Sequence, residues 1–401
     1  MQLNSVKVSK YLDTLIKNEA KKEQANEVVN YYIDKIRSGY SYEQLKKNDH
    51  INATESALLF EIASSRLAIS RKFVNWQNLW VDSYLARYTT PEIIAKYRIK
   101  RFENYKVLDL GAGSGIQDLI FSSSGIDVIG IEKDPVRYRF CLLNLQEYPE
   151  SHVKFVHSDA YDLDPADAIG EDDVIFSDPS RPEREPERFL DSLLPSPLSI
   201  YETFKVTTSN FAFDLPPQIR RDRISIGGET EYISINGNLN RLTLYTGELA
   251  KNESSAVMLP SGKMIYGIPK PYLEKNGKIG SYILVPDISA SYAGLLWKVA
   301  ELYPITFLTL DRRRVMFSSD QPVDDFFGEQ YEVVEVFNDL FDPEVYKKHD
   351  VSKVYPRYEI EESEYYNVKN KIEKNLSGER SAYIFRIDER YALAFKLHTN
   401  P

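Results

Sequence analysis

Between Lys106 and Thr208 the chain runs as short apolar segments, "KVLDLGAG", "IDVIGIEKD", "VKFVHSDA", "DDVIFSDP" and "YETFKVTT", separated by stretches with helical spacing. Strands that recur with a helix in each gap pair side by side and parallel, since an antiparallel return needs only a tight turn. A run such as Val174, Ile175 and Phe176, apolar in consecutive positions, belongs in the middle of such a sheet with both faces covered. The block therefore demands an α/β fold, and it directs any ligand to the carboxyl ends of the strands.

The flanking regions have other rhythms. In residues 1–98, "NEVVNYYIDKI", "ESALLFEIASSRLAISRKF" and "NLWVDSYLARY" set apolar residues three and four apart, with breaks near Gly39 to Tyr42 and Asn48 to Thr54. They read as a helical domain without a catalytic pattern. "TTPEIIAKYRIKRF", residues 89–102, opens a further helix with Thr before Pro and leads into the alternating block. After that block, "ETEYISINGNLNRLTLYTG" is two alternating runs joined by Asn236 and Gly237, an antiparallel hairpin that finishes the sheet. A new mixture follows with "GSYILVPD", the helix-like "SASYAGLLWKVAELY", "ITFLTLDRRRVMFSSD", "YEIEESEYYNVKNKIEKNL", "SAYIFRID" and "YALAFKLH". The expected domains are 1–98, a core of 99–265, an α+β module of 266–330 and a last domain of 331–401.

With 42% apolar and 12% aromatic residues, 401 residues suffice for packed cores. The start has no apolar leader and no apolar run approaches bilayer length, so a cytoplasmic protein is expected. The single cysteine, Cys141, excludes internal disulfides and multi-thiolate metal sites, and the five histidines lack metal-ligand spacing. No metal is expected. A formal charge of −10 argues against a simple polyanion binder, although net charge does not report how charge is distributed.

"VLDLGAGSGIQ", residues 107–117, carries the most chemistry. An apolar strand enters a turn containing Gly111, Ala112, Gly113 and Gly115, where the backbone can approach a ligand that a Cβ would exclude. Asp109 in the strand end suits a cationic amino-acid group and would repel a pyrophosphate. About 20 residues on, the second strand ends in Glu132 beside Lys133, placed to accept hydrogen bonds from ribose hydroxyls. The third ends in Asp159 beside Ala160, where an adenine amino group could be held. A dinucleotide oxidoreductase would also use this fold and Glu132, but "GAGSGIQ" departs from the G-x-G-x-x-G spacing.

The order and spacing of these three acids resemble the class I S-adenosylmethionine-dependent methyltransferases. Further blocks, "TTPEIIAKYRIKRF", Asp-Pro-Ser-Arg at 178–181, "EYISINGNLNRLTLYTG" and "VSKVYPRYEI" through "AFKLH", resemble in order the uncharacterised methyltransferases with a THUMP-like C-terminal domain, over most of residues 89–401. The "TPEIIA" helix also resembles the opening of the trimethylguanosine-synthase group. The chain departs from the family in having Ala112 to Gln117 where relatives have Cys-Gly-Ile-Gly-Gly-Asp, and Ser180, Arg181 and Pro182 where they have Ala-Arg-Arg. The resemblance implies a Rossmann-like core with a mostly parallel seven-stranded sheet, a helical N-terminal domain, and a C-terminal α+β region, ferredoxin-like over 266–330 and THUMP-like over 331–401. It also implies S-adenosyl-L-methionine as cofactor.

The fourth strand ends in Asp178, Pro179, Ser180 and Arg181, the expected catalytic turn. An exocyclic amine of a base is a poor nucleophile, and a carboxylate that accepts its hydrogen bonds aims it and favours its pyramidal form. Asp178 has that role here, with Arg181 set to stack on a base or pair with phosphate. Arg184 and Arg188 pair as readily with neighbouring glutamates on a solvated face. Methylation of cytosine C5 needs an attacking thiolate, and Cys141, in the apolar run "RYRFCLLNLQ", reads as a core residue. Lys205 and Asn210, read as following the fifth strand, are candidates for the substrate pocket; Lys205 falls where relatives have a lysine.

THUMP domains bind structured RNA, which makes tRNA or rRNA the expected partner. Basic clusters at Lys96 to Arg101, Arg220 to Arg223, Arg312, Arg313 and Arg314, and Lys347 to Lys353 could hold it, though acids interrupt or flank each one. Methylation of a base nitrogen in RNA stands against two alternatives: a methyltransferase acting on a small molecule or protein, and a non-enzymatic RNA-binding module.

Overall fold

The structure is a computed structural model describing residues 5–46, 51–180, 189–271, 277–311 and 314–397, with 307–311 and 314 described by their backbone. The chain divides into two compact units, 1–228 with 243–251, and 229–242 with 252–401.

The first unit begins with helices α1 (Ser5–Lys17), α2 (Glu19–Arg37), α3 (Tyr42–Leu45), α4 (Ala53–Ile69), α5 (Ser83–Tyr88) and α6 (Glu92–Phe102). Side chains cap their starts: Asn18 accepts from the Lys21 amide, Asn52 from Thr54 and Asp82 from Leu85. These helices have no core of their own. Leu12, Val29, Tyr32, Leu59 and Ile62 belong to the same apolar cluster as Val107, Leu119, Val128, Phe140 and Phe176. The boundary expected at residue 98 is therefore not a boundary of packing, because the apolar stripes of the helices are covered by the α/β block. Asp13 of α1 receives both Nε (2.8 Å) and Nη2 (2.9 Å) of Arg139.

The alternating block follows as β1 (Val107–Asp109), α7 (Ile116–Ser123), β2 (Val128–Glu132), α8 (Pro135–Leu145), β3 (Lys154–His157), α9 (Pro165–Ala168), β4 (Val174–Ser177), α10 (Pro197–Phe204) and β5 (Phe211–Leu215). All four pairings among these strands are parallel, with Leu108 opposite Ile129 on one side and Ile175 on the other. The fifth strand is not where the sequence reading put it. "YETF" closes helix α10, which Ser196 caps through the Ser199 amide (3.3 Å) and Pro197 opens, burying Pro197, Ile200 and Phe204 along one face.

Four more strands, β6 (Glu229–Ile235), β7 (Asn238–Tyr245), β8 (Ser254–Leu259) and β9 (Lys263–Gly267), complete the order β3-β2-β1-β4-β5-β7-β6-β8-β9. The first seven strands form the expected mostly parallel sheet, and β8 and β9 extend it. β6 and β7 meet in a two-residue turn at Asn236 (φ 50°) and Gly237 (φ 74°), the left-handed pair that a tight hairpin requires.

The second unit also contains β10 (Tyr282–Pro286), α11 (Ile288–Tyr292), α12 (Leu296–Leu302), β11 (Thr306–Asp311), β12 (Arg314–Ser319), β13 (Gly328–Phe337), α13 (Pro343–Lys348), β14 (Val351–Pro356), α14 (Tyr365–Glu373), β15 (Arg380–Ile387) and β16 (Arg390–Lys396). Among the described residues these strands make a second sheet, ordered β11-β12-β10-β13-β16-β15-β14. The division expected at residue 330 falls inside β13, where Tyr331 stands opposite Ile283 on one side and Lys396 on the other. The stretches 266–330 and 331–401 thus share one hydrogen-bonded sheet. Val368 and Ile372 of α14 pack on Val354, Ile384 and Leu393.

Candidate active site

The turn after β1 is shaped by glycines for separate reasons. Gly113 (φ 61°) and Gly115 (φ 71°) have left-handed backbones, and a Cβ on Gly115 would lie 2.4 Å from the Phe155 ring. A Cβ on Gly111 would meet nothing within 4 Å, so the space over that part of the turn is open. Ala112 bridges the turn to β2 through its amide and the Ile131 carbonyl (2.9 Å). Cys141 lies beneath, its thiol donating to the Gly113 carbonyl (3.3 Å); it is buried, and burial raises its pKa well above the usual thiol value. It is the core residue expected.

The three acids differ in how they are held. Glu132 is buried and accepts from the Gly113 amide at Oε2 (2.8 Å) and the Asp134 amide at Oε1 (2.7 Å). Burial raises its pKa against the pull of those two amides. Asp109 is buried too, yet its Oδ1 has no hydrogen-bond partner among the described residues. Asp159 is half-exposed at the end of β3, capping the turn that begins at Ala160 through the Tyr161 amide (3.1 Å), with Lys133 Nζ 3.8 Å away.

At the end of β4, Asp178 accepts a hydrogen bond at Oδ2 from the Thr90 hydroxyl (3.0 Å), just before α6. Ser180 is otherwise engaged: its amide and hydroxyl both donate to the Leu194 carbonyl, at 2.7 and 3.0 Å, and its carbonyl accepts from the Leu194 amide. Its hydroxyl closes the loop after Pro179, which is a correction to the catalytic role expected of it. Arg181 lies outside the described residues, as do Arg184 and Arg188.

Behind Asp178 runs a polar network that sequence reading missed. Arg98 of α6 is fully buried and donates to Gln117 Oε1 (3.1 Å), to Asp214 Oδ1 and to Thr243 Oγ1 (2.9 Å), while the Thr243 hydroxyl donates to the same Asp214 oxygen (2.8 Å). Burial pulls the guanidinium pKa down, but the charge of Asp214 outweighs it and the net shift is upward. The segment around α5 covers the glycine turn: a Cβ on Gly113 would lie 3.2 Å from Leu85. Asn144 of α8 joins the Trp80 carbonyl (3.0 Å) to the Ser114 carbonyl (2.9 Å). The segment from Trp80 to Leu85 thus packs on the glycine turn.

Lys205 and Asn210 are not. Helix α10 returns the chain to the amino ends of the strands, so both residues stand at the edge of the sheet opposite the acids. Lys205 is exposed and pairs with Glu202, and buried Asn210 ties the Asp172 carbonyl (3.2 Å) to the Glu248 amide (2.8 Å). The basic clusters are largely committed as well. Lys96 pairs with Glu92 (2.6 Å), Arg101 donates to the Leu249 carbonyl (2.8 Å), Arg220 pairs with Asp222 (2.5 Å), and Lys347 pairs with Glu344 (3.0 Å). Arg312 and Arg313 lie outside the described residues, and Arg314 opens β12 opposite Asp311.

No protein-family model and no curated protein matches the chain. Among solved structures, a protein from Porphyromonas gingivalis W83 provisionally named a methyltransferase is 16% identical, with a TM-score of 0.70 over 93% of this chain and 98% of that one. The chain has that protein's fold. An RNA methyltransferase from Salinibacter ruber, solved with S-adenosyl-L-homocysteine, is 17% identical and matches 40% of this chain and 94% of its own length, at a TM-score of 0.29. Among the described residues no group of His, Cys, Asp and Glu could hold a metal ion, and no helix is long and apolar enough to cross a membrane.

Proposed function

We propose that this protein is an S-adenosylmethionine-dependent methyltransferase whose acceptor is a base nitrogen of structured RNA, tRNA or rRNA. One observation carries the cofactor: a buried, unpartnered carboxylate oxygen on Asp109 beside an open space over Gly111, with Glu132 and Asp159 at the next two strand ends. Asp109 suits the cationic amino-acid end of the cofactor, because a buried acceptor left without a donor is destabilising until a ligand supplies one. Glu132, held rigid by two amides, keeps lone pairs for the ribose hydroxyls, and Asp159 suits the adenine amino group. Gly111, Ala112, Gly113 and Gly115 form the turn beneath, with Lys133 and Ala160 at the rim.

When bound, the cofactor supplies an electrophilic methyl group on a sulfonium. Asp178 accepts a hydrogen bond from the acceptor amine and aims its lone pair, while Thr90 restrains the Asp178 carboxylate. Support for RNA comes from the resemblance to methyltransferases with a THUMP-like domain, which assigns RNA capture to the C-terminal region, including Arg312, Arg313 and Arg314, and base or phosphate contact to Arg181. The pairing of the other basic clusters with acids favours the second reading, a small-molecule or protein acceptor. Mass spectrometry of modified nucleosides in total RNA, with and without the gene, decides between them: a missing methylated base supports the first, and an unchanged profile the second.

A further inference from the structure

Asp118 has no part in the function proposed above, yet it is the most unusual group near the glycine turn. It stands in the first turn of α7, fully buried, and neither carboxyl oxygen has a protein donor among the described residues. A Cβ on Gly130 of β2 would come within 2.7 Å of its Oδ2, so only a glycine leaves room for the carboxyl there. Gly130 is the strand partner of Asp109, so the Asp118 carboxyl over Gly130 stands beside that of Asp109.

Two ionised carboxylates cannot share such a position out of water, whereas a carboxylic acid and a carboxylate can, joined by one O–H···O hydrogen bond. The groups that face the pair from neighbouring elements do not neutralise it. They are Asp178 at the end of β4, Glu132 at the end of β2 and the Cys141 thiol on α8. Arg137 of α8 acts on Glu132, and Arg98 of α6 is held by Gln117, Asp214 and Thr243. Burial pushes both acids up, Asp118 to about 7 and Asp109 well above the usual carboxylate range, with the charge of Asp118 adding to the effect on Asp109.

We propose that Asp118 is the positioning partner of Asp109: the two carboxyls hold a single proton between them, and the pair meets the cationic end of the cofactor as one negative charge. The inference rests on the cofactor assignment given under the proposed function. A second proton erases the charge, so cofactor affinity falls on acidification. An amide in place of Asp118 still donates to Asp109 but cannot titrate.

The test is calorimetry of S-adenosylhomocysteine binding from pH 5.5 to 8.5 on the full chain, wild type and Asp118→Asn, with circular dichroism as the check on folding. The wild type is expected to lose affinity steadily below about pH 7, about tenfold per unit. Asp118→Asn is expected to bind within about threefold of wild type at pH 8 and about tenfold more tightly than wild type at pH 6. An acid limb unmoved by Asp118→Asn overturns the inference and leaves the cofactor assignment standing. Failure of the folded wild type to bind at any pH overturns both. Should Asp118→Asn not fold, infrared spectra of the wild type at pH 8 decide: a protonated-carboxyl band that shifts on adding S-adenosylhomocysteine supports the pair, and its absence overturns it.

Discussion

The Thr90 hydroxyl hydrogen-bonds Asp178 Oδ2 at 3.0 Å, joining the segment before α6 to the end of β4 across 88 residues of chain. A half-buried carboxylate restrained by a hydrogen bond is held in a defined direction, which is the requirement for aiming an acceptor amine. Thr90→Val is expected to slow methyl transfer about tenfold and Asp178→Ala about 100-fold, both with S-adenosylhomocysteine affinity within about threefold. Transfer of labelled methyl to RNA, run beside calorimetry, measures the two effects separately. Unchanged transfer by Asp178→Ala would remove Asp178 from the mechanism.

Cofactor affinity should depend on two acids in different ways. Asp109→Ala removes a ligand partner and is expected to weaken S-adenosylhomocysteine binding by about 1 to 3 kcal/mol. Glu132→Gln should do no better than Glu132→Ala. One of its two oxygens becomes an NH2 group facing the amide of Gly113 or Asp134, and two donors then oppose each other. Calorimetry on the three variants checks the order; wild-type affinity in Glu132→Gln would contradict it.

Removing Arg98 should unsettle the first unit. Arg98→Ala leaves Asp214 buried without its counter-charge, a change that costs about 3 to 5 kcal/mol in comparable buried pairs. Arg98→Lys is not expected to rescue it, because a single ammonium cannot replace the two Nη groups that reach Gln117, Asp214 and Thr243 together. Urea denaturation gives both values, and near-wild-type stability of Arg98→Ala would show that the network contributes little.

The buried acid on α7 also predicts a pH dependence of stability without ligand. Asp118 is raised from the ordinary carboxylate range to about 7, so the native state holds a proton that the unfolded chain releases. Its contribution is complete below about pH 4 and is lost as pH rises through about 7. Thermal melts of the ligand-free protein should show that loss between those limits, and Asp118→Asn should flatten the slope. An identical slope in the two proteins would place the titration elsewhere.

The sheet and its acids were legible because each strand of the block is a short apolar run that ends in a glycine turn or an acid, both local signals. Asp109, Glu132, Asp159 and Asp178 needed no partner to be noticed. Arg98 sits in "YRIKRF", which reads as solvated charge, and its burial depends on Asp214 and Thr243, 116 and 145 residues away. Asp118 stands in the first turn of a helix, where an acid is ordinary, and its inward direction depends on Gly130 of the neighbouring strand β2. Lys205 and Asn210 were misplaced through one error: Tyr201 to Phe204 were read as strand, which exchanged the two ends of the fifth βα unit. The single C-terminal sheet was missed because strand length and spacing do not reveal which strands pair across long connections.

The division of the chain into units also sets an order of events on the ribosome. The first unit is interrupted after residue 228 and finished by residues 243–251. Thr243 therefore emerges 145 residues after Arg98, on the order of 10 s at ordinary rates of synthesis. The counter-charge Asp214 is made earlier, 116 residues after Arg98, but the Thr243 hydroxyl that joins the pair is not, so the first unit cannot close before residues 229–242 of the second have been made.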